Sequence, residues 1–142
     1  MGETKESSRD DDYVDVPMVD MPALPSVDET HDIWWRVPRA TLEAFGVGVE
    51  EAMVMRVLGE ANFGAFRKGD VVLVDRRSRD VDGVFVLRFG DRVRVKRVQA
   101  MSDGSVKLSS DSELYESEYV SADAFESMEV IGFCAGVLSR LY

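Results

Sequence analysis

The sequence predicts a mostly β fold of short, largely antiparallel strands with one short helix. Three observations carry this. From residue 53 onward the apolar residues come in short β-branched runs, such as Val71-Val72-Leu73-Val74 and Arg92-Val93-Arg94-Val95. Gly-Asp or Asp-Gly pairs separate those runs at Gly69-Asp70, Asp82-Gly83, Gly90-Asp91 and Asp103-Gly104, which is the residue chemistry of tight turns. Only one segment, Arg39 to Phe45, carries helix punctuation at both ends.

Along the chain, residues 1–12 are polar and acidic and read as a disordered tail, and 13–142 as one domain. Tyr13 to Pro17 alternates and reads as a short strand, and Met18 to Asp32, with Pro17, Pro22 and Pro25 in or beside it, reads as an extended loop. Pro38 opens the helix, because a missing N–H costs nothing in the first turn, and Gly46 stops it. Trp34 and Trp35 just before it are expected to anchor this segment on the core. The strands then run Met53 to Leu58, Val71 to Asp75, Val84 to Leu87, Arg92 to Val98, Val106 to Leu108, Glu118 to Val120 and Glu129 to Leu138. The last is the most apolar. Burial on one side only would leave part of it exposed, so Val130, Ile131, Phe133 and Val137 are candidates for a dimer contact that a second copy covers.

A chain of 142 residues is long enough to bury a core. It has no apolar run of membrane-spanning length and no secretory pattern, so no membrane partner is expected. The single cysteine, Cys134, excludes an internal disulfide, fits a cytoplasmic location and reads as a small core residue. A net charge of −10 argues against this segment gripping DNA phosphates by itself. The charge is uneven: residues 67–97 carry 10 basic and 5 acidic side chains, between two acidic flanks. Such a basic centre is either a set of solvated strand faces or a surface for an acidic partner. There is no metal-ligand spacing around the only histidine, His31, and no cofactor motif, so no metal and no cofactor are expected. The run Asp10-Asp11-Asp12 reads as solubilising.

The ordered pieces Gly59-Glu60-Ala61-Asn62, Gly69-Asp70 with the apolar strand after it, Gly83-Val84-Phe85-Val86-Leu87, Val95-Lys96-Arg97-Val98, Leu108-Ser109-Ser110-Asp111 with Tyr115, and Val130-Ile131-Gly132 together resemble the C-terminal domain of LexA-type and lambda-type phage repressors, a self-cleaving serine peptidase family. The resemblance covers nearly all of residues 13–142. It implies a serine nucleophile at position 61 and a general-base lysine at position 96. In serine–lysine catalysis a desolvated lysine takes the proton of the attacking hydroxyl. Here the nucleophile position is Ala61, whose methyl group cannot attack, while Lys96 keeps the base position. The family cuts itself at an Ala-Gly or Cys-Gly bond. The corresponding pair here is Pro25-Ser26, and a proline misfits the kinked scissile loop. Asn62 and Gly64 depart from the family pattern as well. An engineered serine-to-alanine exchange would account for Ala61 alone, whereas natural degeneration accounts for all of these departures.

The resemblance further implies a homodimerising regulatory domain whose DNA is read by a separate helix-turn-helix domain, of which no pattern precedes residue 13. With cleavage lost, relief of repression falls to another protein, such as an antirepressor or a peptide in the vacant cleft. Two other readings stand beside it. One is an active self-processing peptidase captured as a Ser→Ala variant. The other is a stand-alone β domain that binds an acidic partner through residues 67–97 and is monomeric. For Lys96 itself, alternation places Arg92, Arg94 and Lys96 on one strand face, so a solvated basic face explains it without chemistry.

Overall fold

The computed structural model describes residues 11–20, 33–57, 69–77, 82–90, 92–110 and 116–138. Nine strands and two short helices make up these residues. They are β1 (Tyr13–Asp20), β2 (Trp34–Pro38), α1 (Arg39–Phe45), β3 (Ala52–Arg56), β4 (Val71–Asp75), β5 (Gly83–Phe89), β6 (Arg92–Ala100), β7 (Val106–Ser109), β8 (Glu118–Val120), α2 (Ala122–Glu126) and β9 (Glu129–Leu138). The strand order is β2-β1-β3-β4-β9-β5-β6-β7-β8. Every pairing is antiparallel except β1 with β3.

The strands expected from Val71 to Asp75, Glu118 to Val120 and Glu129 to Leu138 form with those bounds, and the others gain or lose a few residues at their ends. The turn chemistry works as the sequence implied. Gly90, at φ 60°, lets β5 turn straight back into β6. Asp82 takes φ 141°, and its carboxylate holds that conformation by accepting the Ala100 N–H at 2.9 Å.

Three expectations need correction. β1 does not end at Pro17: Met18, Val19 and Asp20 pair in parallel with Val54, Met55 and Arg56. The pairing buries Val19, and Arg56 fixes it by donating to both carboxylate oxygens of Asp20 at 2.8 and 3.0 Å. The tryptophans precede the helix as part of strand β2, where alternation separates them. Trp35 packs on the core, whereas Trp34 is 56% exposed. Pro38 is the last residue of β2 and the N-cap of α1, one position before the first helical turn. A second helix, α2, was also missed. It is five residues long, with Ser121 as its N-cap: the Ser121 hydroxyl accepts the Ala124 N–H at 3.1 Å.

β9 is the last strand in sequence and an interior strand in space. It pairs with β4 along one edge and β5 along the other, with a bulge on each side. Strand neighbours, not a second copy, therefore cover its backbone. Ile131 is buried in the core, Phe133 packs edge-on against Phe85 at 5.3 Å, Val137 is half-buried, and only Val130 of the four is exposed. Two glycines let β9 sit so deep. A Cβ on Gly132 would press on Val74 and lie 2.9 Å from the Asp75 carbonyl oxygen, and one on Gly136 would run into the Phe45 ring of α1.

β3 and β4 are buried on both faces, which is why they read as unbroken apolar runs. Met53, Met55, Val72 and Val74 point to a cluster shared with Val19, Val86, Val93, Val95 and Ile131. Ala52, Val54, Val71 and Leu73 point the other way, where Leu42 of α1 covers them. A third cluster, Phe85, Leu87, Val98, Val106 and Leu108, lies under Phe125 and Met128 of the α2 segment. Each large apolar side chain fully buried in this way contributes about 1.5–3 kcal/mol. Because Gly132 meets backbone as well as side chain, Gly132→Ala is expected to destabilise the fold by about 1–3 kcal/mol. Urea unfolding of the two proteins, compared at unchanged m-value, measures it.

Candidate functional site

Lys96, which the sequence resemblance puts at the base position, lies mid-strand in β6 directly opposite Phe85 of β5, and Arg94 lies opposite Leu87. Directly opposed residues of an antiparallel pair project to the same face. Phe85 and Leu87 are core residues of the third cluster, so Arg94 and Lys96 share that cluster's face and are half-buried, while Arg92 is exposed. The alternation read from the sequence is correct, but a plain solvated basic face is not what it produces. The opposite face of β6 carries Val93 and Val95 into the first cluster.

Along the same face a cross-strand row runs Ala52, Asp75, Phe133, Phe85, Lys96, each paired with the next. On the far side of Lys96, β7 pairs Ser109 with Arg97, so Ser110 comes next at the level of Lys96. The Ser110 Oγ is buried and has no hydrogen-bond partner among the described residues. The sequence placed Ser110 in a family-like stretch and gave no sign that its hydroxyl reaches the level of the lysine. The register of two hairpins decides that, and no local pattern encodes it.

Asp75 stands in the row on the other side. Its carboxylate is fully buried. It accepts from the Arg77 N–H at 3.0 Å, and from the guanidinium Nε at 3.0 Å and Nη2 at 2.6 Å. The same Nη2 donates to the carbonyl of Gly46, the residue that caps α1, at 2.7 Å. The carboxylate raises the Arg77 pKa, first through its hydrogen bonds and then through its charge. The pair thus ties the end of β4 to the end of α1 beside the row. An acid closing an apolar strand, two residues before an arginine, was its only trace in the sequence.

Ala61, Pro25 and Ser26, the expected nucleophile position and cleavage pair, lie outside the described residues. Their anchor points are described. The Gly69 N–H donates to the Val57 carbonyl at 2.7 Å and the Val57 N–H to the Asp70 carbonyl at 2.8 Å, so the described residues on either side of 58–68 are held together between β3 and β4. Residues 21–32 join β1 to β2, which are antiparallel partners. The Arg56–Asp20 pair sits where both segments depart.

A family model described as Peptidase S24-like matches residues 22–135. The chain belongs to the Peptidase S24-like family. The match takes in both the Ala61 and the Lys96 positions, and the mostly β architecture agrees with it. A search of curated proteins found no match. Among the described residues no cluster of metal-ligating side chains occurs, and no helix is long and apolar enough to cross a membrane.

Cys134 sits on β9 opposite Val74 and packs against the first cluster. Burial pushes its thiol up to about 12 from 9.0. The folded state therefore holds its proton where the unfolded chain has lost it. The stability this confers is full below pH 9 and declines as pH rises from there towards 12. Iodoacetamide at mildly alkaline pH is expected to leave the native thiol unmodified and to alkylate it after urea unfolding, as read by intact mass. For the ion pair, Arg77→Ala strands a buried carboxylate, whereas Asp75→Asn removes the charge and keeps an acceptor. The urea midpoint is expected to fall further for Arg77→Ala than for Asp75→Asn.

Proposed function

We propose that this domain has given up self-cleavage and serves as the regulatory, self-associating part of a phage-type repressor, with operator DNA read by a separate domain. What supports the reading is the sequence resemblance, which sets Ala61 at the nucleophile position and Lys96 at the base position. Serine–lysine hydrolysis needs the hydroxyl: the lysine only moves its proton. A methyl group leaves the lysine with nothing to activate. Pro25-Ser26 at the expected scissile bond and Asn62 and Gly64 beside the vacant position support loss by descent over exchange of a single residue.

On this reading the domain acts by pairing, because a dimer presents two DNA readers at once and raises the effective concentration of the second for its half-site. β9 has no free backbone edge, so any contribution it makes to the dimer comes through side chains such as the exposed Val130. Control passes from cutting to binding: an antirepressor or peptide seated near Lys96 would shift the pairing equilibrium in proportion to its preference for one state. The domain has no cofactor in this scheme.

The test is restoration of the hydroxyl. Ala61→Ser protein incubated at alkaline pH is expected to stay intact by mass spectrometry, since the scissile pair is altered as well. Two fragments meeting between residues 21 and 32 would overturn the reading and point to a peptidase held in check by one substitution. Sedimentation is expected to give a dimer, and a monomer at all concentrations would remove the repressor reading.

A further inference from the structure

We propose that β2 is the edge through which this domain associates with itself: the outer margin of β2 pairs antiparallel with that of a second copy, about a two-fold axis at Trp35, so that one sheet runs through both. This deepens the reading of a self-associating domain and rests on it.

Among the described residues β2 and β8 each have a strand neighbour on one side only. β8 is three residues long and opens on Glu118, and short, charged margins resist further pairing. β2 is five residues long, runs Trp34-Trp35-Arg36-Val37-Pro38 in unbroken register with β1, and carries no acid. Its one protective residue, Pro38, stands at its end.

Two hydrogen bonds fix which backbone groups of β2 face outward. The Ile33 carbonyl accepts the Met18 N–H at 3.1 Å, and the Arg39 N–H donates to the Asp12 carbonyl at 2.6 Å. Ile33, Trp35, Val37 and Arg39 therefore turn their backbone groups to β1, and alternation turns those of Trp34 and Arg36 to the margin. The side chains are open at the same place. Trp34 is 56% exposed on one face of the strand, and Ile33 is 58% exposed on the other. Arg36 and Pro38, on the Trp34 face, are exposed as well. Apolar surface on both faces of one margin is covered by a strand laid alongside it, which a ligand resting on a single face cannot do.

Register identifies that strand as a second β2. Identical edges meet antiparallel about a two-fold axis. With the axis at Trp35, Trp34 comes opposite Arg36 of the second copy, and Arg36 opposite its Trp34. Both outward-facing residues of each copy then pair, through four backbone hydrogen bonds. The two arginines stay apart, each guanidinium lies beside an indole, and Ile33 comes opposite Val37 of the second copy. An axis at Arg36 would set the two arginines against each other and ask Pro38 for an N–H it lacks. An axis at Trp34 would pair only Trp34 among the described residues.

The test is sedimentation of the full chain with charge changes that read this register. Trp34→Lys sets a cation against Arg36 of the second copy, twice by symmetry, and is expected to raise the dimer dissociation constant by roughly a hundredfold or more. Trp34→Glu removes the same ring but sets an acid against that arginine, so its loss should be about tenfold smaller. Trp34→Lys combined with Arg36→Glu restores opposite charges and should recover most of the Trp34→Lys loss. Tyr119→Lys, on the exposed margin at β8, should change nothing. Circular dichroism checks that each variant folds. Trp35→Phe leaves Trp34 as the only tryptophan, and its emission is expected to move to shorter wavelength as concentration rises through the dimerisation range. A dimer that survives Trp34→Lys, or that forms without changing the Trp34 emission, overturns the proposal and leaves the self-associating reading intact. Equal losses for Trp34→Lys and Trp34→Glu overturn it too, because they remove the register. Emission already at short wavelength and unaffected by dilution would mean that the chain covers this margin itself, which overturns it as well. A monomer at all concentrations overturns both this proposal and the reading beneath it.

Discussion

The architecture depends on one insertion. β9, the last of the described strands, must enter between β4 and β5, which do not pair with each other. On one side of it lie β2, β1, β3 and β4, and on the other β5, β6, β7 and β8. Without β9 there are two separate ribbons, each with an open edge facing the gap. The features around this strand serve that entry. Gly132 and Gly136 clear room where Val74, the Asp75 backbone and the Phe45 ring already stand. Bulges opposite both neighbours let a single strand match two different registers. Phe133 then closes the row by meeting Phe85 edge to face.

That row also sets the chemistry. Asp75 and Lys96 sit on one face of the sheet with two aromatic rings between them. Three strand spacings, about 14 Å, separate their positions in the sheet. Asp75 is consumed by Arg77 and the cap of α1, and so serves the scaffold. Arg94 and Lys96 are held half-buried beside Phe85 and Leu87, on the face of the third cluster.

Much of the fold was legible because its signals are local. Turn pairs such as Asp82-Gly83 and Gly90-Asp91 mark where the chain reverses, and the β-branched runs between them have no helical period. Gly46 stops α1 in the left-handed conformation that glycine favours. What escaped was non-local. Met18 to Asp20 carry no strand signal of their own, and their pairing comes from Val54 to Arg56 in β3. Trp34 and Trp35 are identical in sequence terms, and only the pleat of β2 decides which one is buried. The apolar character of β9 announces burial but not whether strands or a second copy provide it. For the expected site, the family pattern singled out Lys96, whereas the levels of Arg94 and Ser110 beside it come only from cross-strand register.

Placing the closing strand after the eight others also orders events during synthesis. A ribosome releases β1 through β8 before the residues that join their two halves have left the exit tunnel. Until β9 emerges, the nascent chain carries two unsealed sheet margins, β4 and β5, both rich in valine and both able to accept a strand from another molecule. Emergence of β9 is therefore the moment at which this domain can first become whole, and a chain cut ahead of that strand would be a sticky product instead of a shortened domain.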